Sequence, residues 1–133
     1  MATVTAFYAA LCALLIIALA FRVVRFRRSQ KVGLGSGGKH AAEILIRTHA
    51  NAVEYVPLAL LLLLLSELNG LAATWLHVLG STLVIARLLH AIGLTAGKGG
   101  YHPGRFWGTA LTWIVILVLA LVLLAGALGS LNL

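Results

Sequence analysis

The segment RTHANAVEYVP, residues 47–57, brings Arg47, Asn51 and Glu54 to the head of the apolar run LALLLLLL. On a helical wheel of about 100° per residue, four polar residues lie within about 40° of Arg47, namely His40, Glu43, Asn51 and Glu54. These five residues are called the polar stripe below, and Tyr55 borders it. Because ions that face lipid are costly, we expect the polar stripe to face the protein interior.

Two later segments carry polar groups at a matching depth. Arg87 and His90 lie one helical turn apart near the end of the third apolar run, and Arg105 begins the fourth. Three helices therefore bring six polar residues to one shallow layer: Arg47, Asn51, Glu54, Arg87, His90 and Arg105. Three arginines against one deep carboxylate leave surplus positive charge, which suits an anionic ligand with a carboxylate or thiolate group.

Simpler interpretations of the same residues stay open. Arg47 and Arg105 each also fit a side chain that snorkels to lipid headgroups. Glu54 and Arg87 also fit a structural ion pair within the bundle, and His90 fits an interior histidine.

Composition determines which elements must position these groups. The chain has 133 residues, of which 62% are hydrophobic and 10% charged, with a mean hydropathy of +1.06. These values indicate an all-α integral membrane protein with a single domain, 1–133. A crossing needs about 20 helical residues, and four spans fit, at about 3–24, 40–67, 71–94 and 105–128.

Loop charge predicts the orientation of this four-helix bundle. Lys and Arg occur in the first loop, between 22 and 39, and around the third, between 98 and 105. The second loop and both termini carry none. The positive-inside rule then places both termini on the non-cytosolic side and the polar layer toward the cytosol. The net charge of +7 therefore indicates contact with membrane lipid and no nucleic-acid partner.

Three further features carry no predicted chemistry. Cys12 lies in an apolar run with no basic neighbour, so we interpret it as a small buried hydrophobe. The histidines lack metal-ligand spacing, so no metal site is expected. The sequence GLGSGG, residues 33–38, matches a dinucleotide fingerprint but follows no strand, and we interpret it as a hinge.

The motif Arg47-x3-Asn51-x2-Glu54-Tyr55-x-Pro57 resembles the signature of the membrane-associated proteins in eicosanoid and glutathione metabolism, the MAPEG family. The run RTHANAVEYVPLALLLL and the glycine-rich first loop are most similar to its bacterial branch. The later residues Arg87, His90 and Arg105 also match family positions, so the likeness covers essentially the whole chain.

The resemblance implies a homotrimer in the bacterial inner membrane, with glutathione bound between subunits near the cytosolic side. It implies a glutathione-binding role for six residues: Arg47, Asn51, Glu54, Tyr55, Arg87 and His90. It gives Arg105 the catalytic role of stabilising the glutathione thiolate, which is the nucleophile. The sequence departs from the family pattern at Leu94 and Thr109, where tyrosine is common, and so lacks two phenol donors.

The leading hypothesis is thus a glutathione-dependent membrane enzyme, of transferase or peroxidase type, that acts on lipophilic electrophiles. One alternative is a binding module for glutathione or another anion, without turnover. Another is a small proton-coupled drug exporter that uses a buried carboxylate. Such exporters resemble a pattern with the essential glutamate in the first span, and this first span has no acid.

Overall fold

A computed structural model describes residues 1–130 as four long helices. They are α1 (Thr3–Gln30), α2 (His40–Leu68), α3 (Ala73–Ala96) and α4 (Pro103–Ser130). Each is long and apolar enough to cross a membrane. The predicted all-α architecture with four spans is therefore confirmed.

The helices run alternately up and down, so that the α1–α2 and α3–α4 loops meet at one end of the bundle, and the α2–α3 loop lies at the other end beside the start of α1. The end that holds loops 31–39 and 97–102 is called the basic end, and there His40 Nε2 lies 2.9 Å from the carbonyl oxygen of Lys98. At the opposite end, the Glu67 carboxylate accepts hydrogen bonds from the backbone N–H groups of Val4 (2.9 Å) and Thr5 (2.7 Å). A carboxylate at this position neutralises the positive pole of α1.

Local sequence explains where the helices stop. α1 continues to Gln30, past the predicted limit near 24. The arginines in this last part have a high helix propensity, so the helix can extend into the headgroup region. It ends at Lys31, whose φ of 54° is left-handed. The predicted turn at Asn69-Gly70 is confirmed, with Gly70 at φ 83°. α4 begins two residues before the predicted start because Pro103 is well suited to the first helical position.

The core lies along the α2–α3 pair, with α1 and α4 packed on either side of it. Within the described residues the backbones of α1 and α4 are not adjacent. The largest buried cluster includes Cys12, Leu63, Leu83 and Leu119, each at most 1% exposed. Cys12 is therefore a core residue, as predicted.

The packed face of α2 consists mainly of small and branched side chains. Thr48, Ala52, Val56, Ala59 and Leu63 are all buried, and they lie about 100–180° around the helix from Arg47. Because this face is turned into the bundle, the polar stripe lies at the edge of the bundle, where Asn51 is half-buried and the other four residues are exposed. The expectation that the polar stripe faces the interior is thus wrong for the single subunit.

Candidate ligand site at the basic end

A cavity of about 210 Å³ opens at the basic end, between α2, α3 and the start of α4. Four of the five residues of the polar stripe line it, and α3 and α4 supply further polar groups. Its lining comprises His40, Glu43, Ile44, Arg47, Asn51, His90, Leu94, Gly99 and Arg105. Of the seven predicted site residues, four meet here: Arg47, Asn51, His90 and Arg105.

The other stripe residue, Glu54, pairs with Arg47 beside this cavity. Arg47 Nη1 lies 3.3 Å from Glu54 Oε1, and the two side chains are 62% and 48% exposed. The alternative of an ion pair between Glu54 and Arg87 is therefore wrong. The reason is rotational: Glu54 projects outward with the polar stripe, whereas Arg87 projects into the bundle.

Arg87 is buried behind the cavity, at 2% exposure. Its Nη1 donates to Asn51 Oδ1 at 2.8 Å, and its Nη2 donates to the Gly108 carbonyl at 2.9 Å. The guanidinium also lies 5.7 Å from the centre of the Tyr55 ring, a cation–π distance. Neither Arg87 nor Tyr55 lines the cavity in this subunit, and their predicted glutathione-binding role stays a prediction.

The contact with Arg87 orients the Asn51 side chain. A guanidinium can only donate hydrogen bonds, so Asn51 must accept with its oxygen. Its NH2 group then has no acceptor among the described residues and remains able to donate to a ligand. The buried arginine thus prepares a neutral donor at the wall of the cavity.

Arg105 is held at the mouth of the cavity by the α3–α4 loop. Its Nη1 donates to the carbonyl oxygens of Gly99 (2.6 Å) and Gly100 (3.1 Å). Gly99 has a φ of 84°, a left-handed conformation that favours glycine. Two carbonyls on one nitrogen fix the guanidinium while leaving its other N–H groups for a ligand.

His90 and the close contact between α3 and α4 complete the wall. His90 is 5% exposed and belongs to α3. Across from it, a Cβ added at Gly108 would lie 2.5 Å from the His90 backbone nitrogen. Only glycine allows this approach, which also brings the Gly108 carbonyl within reach of Arg87.

A second depression of about 620 Å³ runs along the outside of α4. It is called the α4 groove, and its lining comprises Tyr101, His102, Arg105, Phe106, Thr109, Ala110 and Trp113. Arg105 lines both the cavity and the α4 groove, so a cation stands at the boundary between a polar and a largely apolar space. Sequence reasoning missed the groove, since aromatic residues on α4 look the same whether they face lipid or a ligand.

The two positions that lack tyrosine both lie at this boundary. Leu94 is 5% exposed and lines the cavity. Thr109 lines the α4 groove, and its hydroxyl donates to the Arg105 carbonyl at 3.0 Å. Neither side chain offers a free hydroxyl hydrogen to a ligand.

The chain was compared with known proteins. The sequence model of the MAPEG family matches residues 5–125. This chain belongs to the MAPEG family. Two similar relatives are the "Inner membrane protein YecN" of Escherichia coli K12 and that of Escherichia coli O6:H1 strain CFT073. Each is 41% identical over 123 residues, which are 89% of this chain and 88% of the relative.

Family membership and the four apolar helices identify the chain as an integral membrane protein of the MAPEG type. In this MAPEG chain Arg47 and Asn51 of the α2 motif line the cavity, and His90 of α3 and Arg105 of α4 close it. No group of three or more metal-ligating side chains occurs in residues 1–130.

Proposed function

We propose that this protein is a glutathione-dependent enzyme of the inner membrane, of transferase or peroxidase type, that acts on lipophilic electrophiles. One observation carries the proposal: Arg105 is shared between a polar cavity lined by anion-binding groups and an apolar groove. A thiol donor that is soluble in water and an acceptor dissolved in lipid can meet at such a boundary.

The cavity suits the ionised groups of glutathione. Arg47 and the NH2 group of Asn51 are donors for its carboxylates, with His90 on the facing wall. Glu54 and Glu43 are acceptors for its amino group. Arg87 and Tyr55 act from behind, because Arg87 orients Asn51 and packs on the Tyr55 ring.

Arg105 is placed to act on sulfur. A fixed guanidinium favours the thiolate over the thiol, and the thiolate is the attacking species. In a conjugation, the sulfur forms a bond to an electrophilic carbon presented from the α4 groove. The thiol proton passes to water. The electron pair of the bond that breaks goes to the leaving group in a substitution, or to the ring heteroatom when a strained ring opens.

The site is proposed to be completed by a neighbouring subunit in a homotrimer. A volume of about 210 Å³ is below the roughly 300–1,000 Å³ usual for small-molecule pockets. The polar stripe is also left open, with Arg47 at 62% side-chain exposure, which is costly in a bilayer unless another surface covers it. With the basic loops in the cytosol, the cavity would face the cytosol.

Calorimetric titration of glutathione into the detergent-purified protein tests the proposal. We expect stoichiometric binding, weakened about tenfold or more in Arg47→Ala and Arg105→Ala because each loses a charged hydrogen bond. Arg25→Ala is the matched control, because Arg25 is exposed on α1 and lines neither cavity nor groove. Normal binding in both site variants would show that the assigned site is wrong.

A binding module without turnover is the second candidate, and Leu94 favours it. This side chain puts an apolar surface in the cavity where a phenol donor is common in the family. Glutathione binding without a measurable rate on a panel of electrophiles would support it over the enzyme. The exporter is not proposed, since Glu54 is 48% exposed and paired with Arg47.

A further inference from the structure

One face of α1 changes from apolar to cationic along its length. Four residues lie within about 40° of Ile17 on the helical wheel, namely Phe21, Val24, Arg28 and Lys31. The apolar three are 65%, 64% and 50% exposed, and the two cations are exposed as well. This set is called the α1 stripe, and none of its residues lines the cavity or the α4 groove.

The cationic end of the α1 stripe is a shaped groove of about 490 Å³. It is lined by Val24, Arg27, Arg28, Lys31, Val32 and Gly33. The loop folds back to form one wall: Arg27 Nε donates to the Gly35 carbonyl at 3.3 Å, and the Val32 N–H donates to the Arg27 carbonyl at 3.0 Å. One wall of the groove is thus held by hydrogen bonds.

The groove carries positive charge without a carboxylate partner. The chain has only three acidic residues, Glu43, Glu54 and Glu67. The first two contact residues of α2 and its preceding loop, and the third caps α1 at the opposite end. Throughout the part of the chain that the structure describes, Arg28 and Lys31 form no salt bridge and no side-chain hydrogen bond.

The length of the α1 stripe matches half a bilayer. From Ile17 to Lys31 the helix rises about 21 Å, at about 1.5 Å per residue. One leaflet with its headgroups is about 20–22 Å thick, half of the roughly 40–45 Å of a whole bilayer. The stripe therefore has the length and polarity profile of one phospholipid molecule.

We propose that the α1 stripe binds an anionic phospholipid, with an acyl chain along Ile17, Phe21 and Val24 and the phosphate between Arg28 and Lys31. A second copy of the chain is a poorer occupant, because ten Lys and Arg against three acidic residues would bring further positive charge to the same face. The apolar residues of the α1 stripe also favour a lipid over free phosphate, because free phosphate has no acyl chain to pack against them.

Native mass spectrometry of the purified protein in neutral detergent tests this proposal, with phosphatidylglycerol as the probe and phosphatidylcholine as the reference lipid. We expect tighter retention of phosphatidylglycerol, and a loss of about 30-fold in its affinity in the double variant Arg28→Gln/Lys31→Gln. The charge-matched control Arg25→Gln/Lys98→Gln changes as many charges outside the groove and should lose less than about threefold. The exchange Arg28→Lys/Lys31→Arg keeps the charge and should retain binding.

Several outcomes overturn the proposal. If the two neutralising double variants lose phosphatidylglycerol affinity equally, the effect comes from net charge and not from the groove. Equal retention of the two lipids would remove the role of the headgroup charge. Competition by inorganic phosphate at the concentration of the lipid would identify a soluble-anion site, and a changed oligomer with unchanged lipid retention would identify a second copy as the occupant.

Discussion

Asn51 on α2 accepts a hydrogen bond of 2.8 Å from Arg87 on α3, and this contact joins the family motif to the buried interior. Arg87 is 2% exposed, and its remaining polar contacts are the Gly108 carbonyl and the Tyr55 ring. The NH2 group of Asn51 is free for a ligand only because its oxygen is engaged by the guanidinium. Stability and the proposed ligand binding therefore depend on the same pair.

Replacement of Asn51 by leucine, of similar size, should destabilise the protein in the absence of ligand. The variant leaves a guanidinium N–H buried without an acceptor, which costs about 1–3 kcal/mol in the free energy of unfolding. Unfolding by a denaturing detergent in mixed micelles measures this change. Arg47→Ala is the control, because it removes an exposed pair and should cost less than about 1 kcal/mol. Equal effects of the two variants would contradict a special role for the buried contact.

Gly108→Ala should displace α4 from α3 and lower the thermal unfolding midpoint. The added Cβ would lie 2.6 Å from the Ala86 carbonyl and 2.7 Å from the His90 Cβ, so the helices must separate. We expect a loss of about 1–3 kcal/mol in stability. Gly126→Ala on the same helix is the matched control, since its Cβ meets nothing within 4 Å. That variant should be neutral or gain up to about 1 kcal/mol from helix propensity.

Glu67→Gln should destabilise the opposite end of the bundle without affecting ligand binding. The neutral amide retains one acceptor oxygen for the first turn of α1, where the carboxylate serves both Val4 and Thr5. Loss of a charged cap costs about 0.5–2 kcal/mol. Hydrogen exchange of the first α1 amides, followed by mass spectrometry, should show faster exchange there and little change at the basic end. Protection that stays the same in this turn would mean that the cap contributes nothing.

Thr109→Tyr should raise the rate of glutathione conjugation, if the proposed enzyme is correct. Position 109 lies one turn after Arg105 and lines the α4 groove, so a phenol there can donate to developing negative charge. We expect an increase of about a hundredfold in kcat/KM, the lower end of what one positioned general acid contributes. Thr109→Phe has the same ring without the hydroxyl and should show no gain. If both variants gain equally, the ring and not the hydroxyl is responsible.

Helical spacing predicted much of the site, because the period of an α-helix alone determines which residues share a face. The convergence of Arg47, Asn51, His90 and Arg105 followed from this period and from depth along each span. The hydrogen bond from Arg87 to the Gly108 carbonyl could not be predicted from helical spacing. It depends on the rotation of α3 about its axis and on how closely α4 approaches at Gly108.

The outward direction of the polar stripe was also beyond prediction from α2 alone. Two faces of α2 compete for the bundle interior, and the choice depends on how the small residues Thr48, Ala52 and Ala59 pack against the other helices. The rule that charged side chains avoid lipid applies to the whole assembly in the membrane. It does not determine which face of α2 packs against the other helices of one subunit.

The shared position of Arg105 has a kinetic consequence. For a reactant that reaches the α4 groove through the bilayer, the relevant concentration is the one in the membrane. That concentration is determined by how strongly the reactant partitions into lipid. Saturation of such a reaction should follow the mole fraction of the reactant in the membrane, and dilution with inert lipid should slow the reaction at constant bulk concentration. Because glutathione would arrive through water, the rate should depend on its bulk concentration. The rate would thus depend on a bulk concentration for one reactant and on a membrane mole fraction for the other.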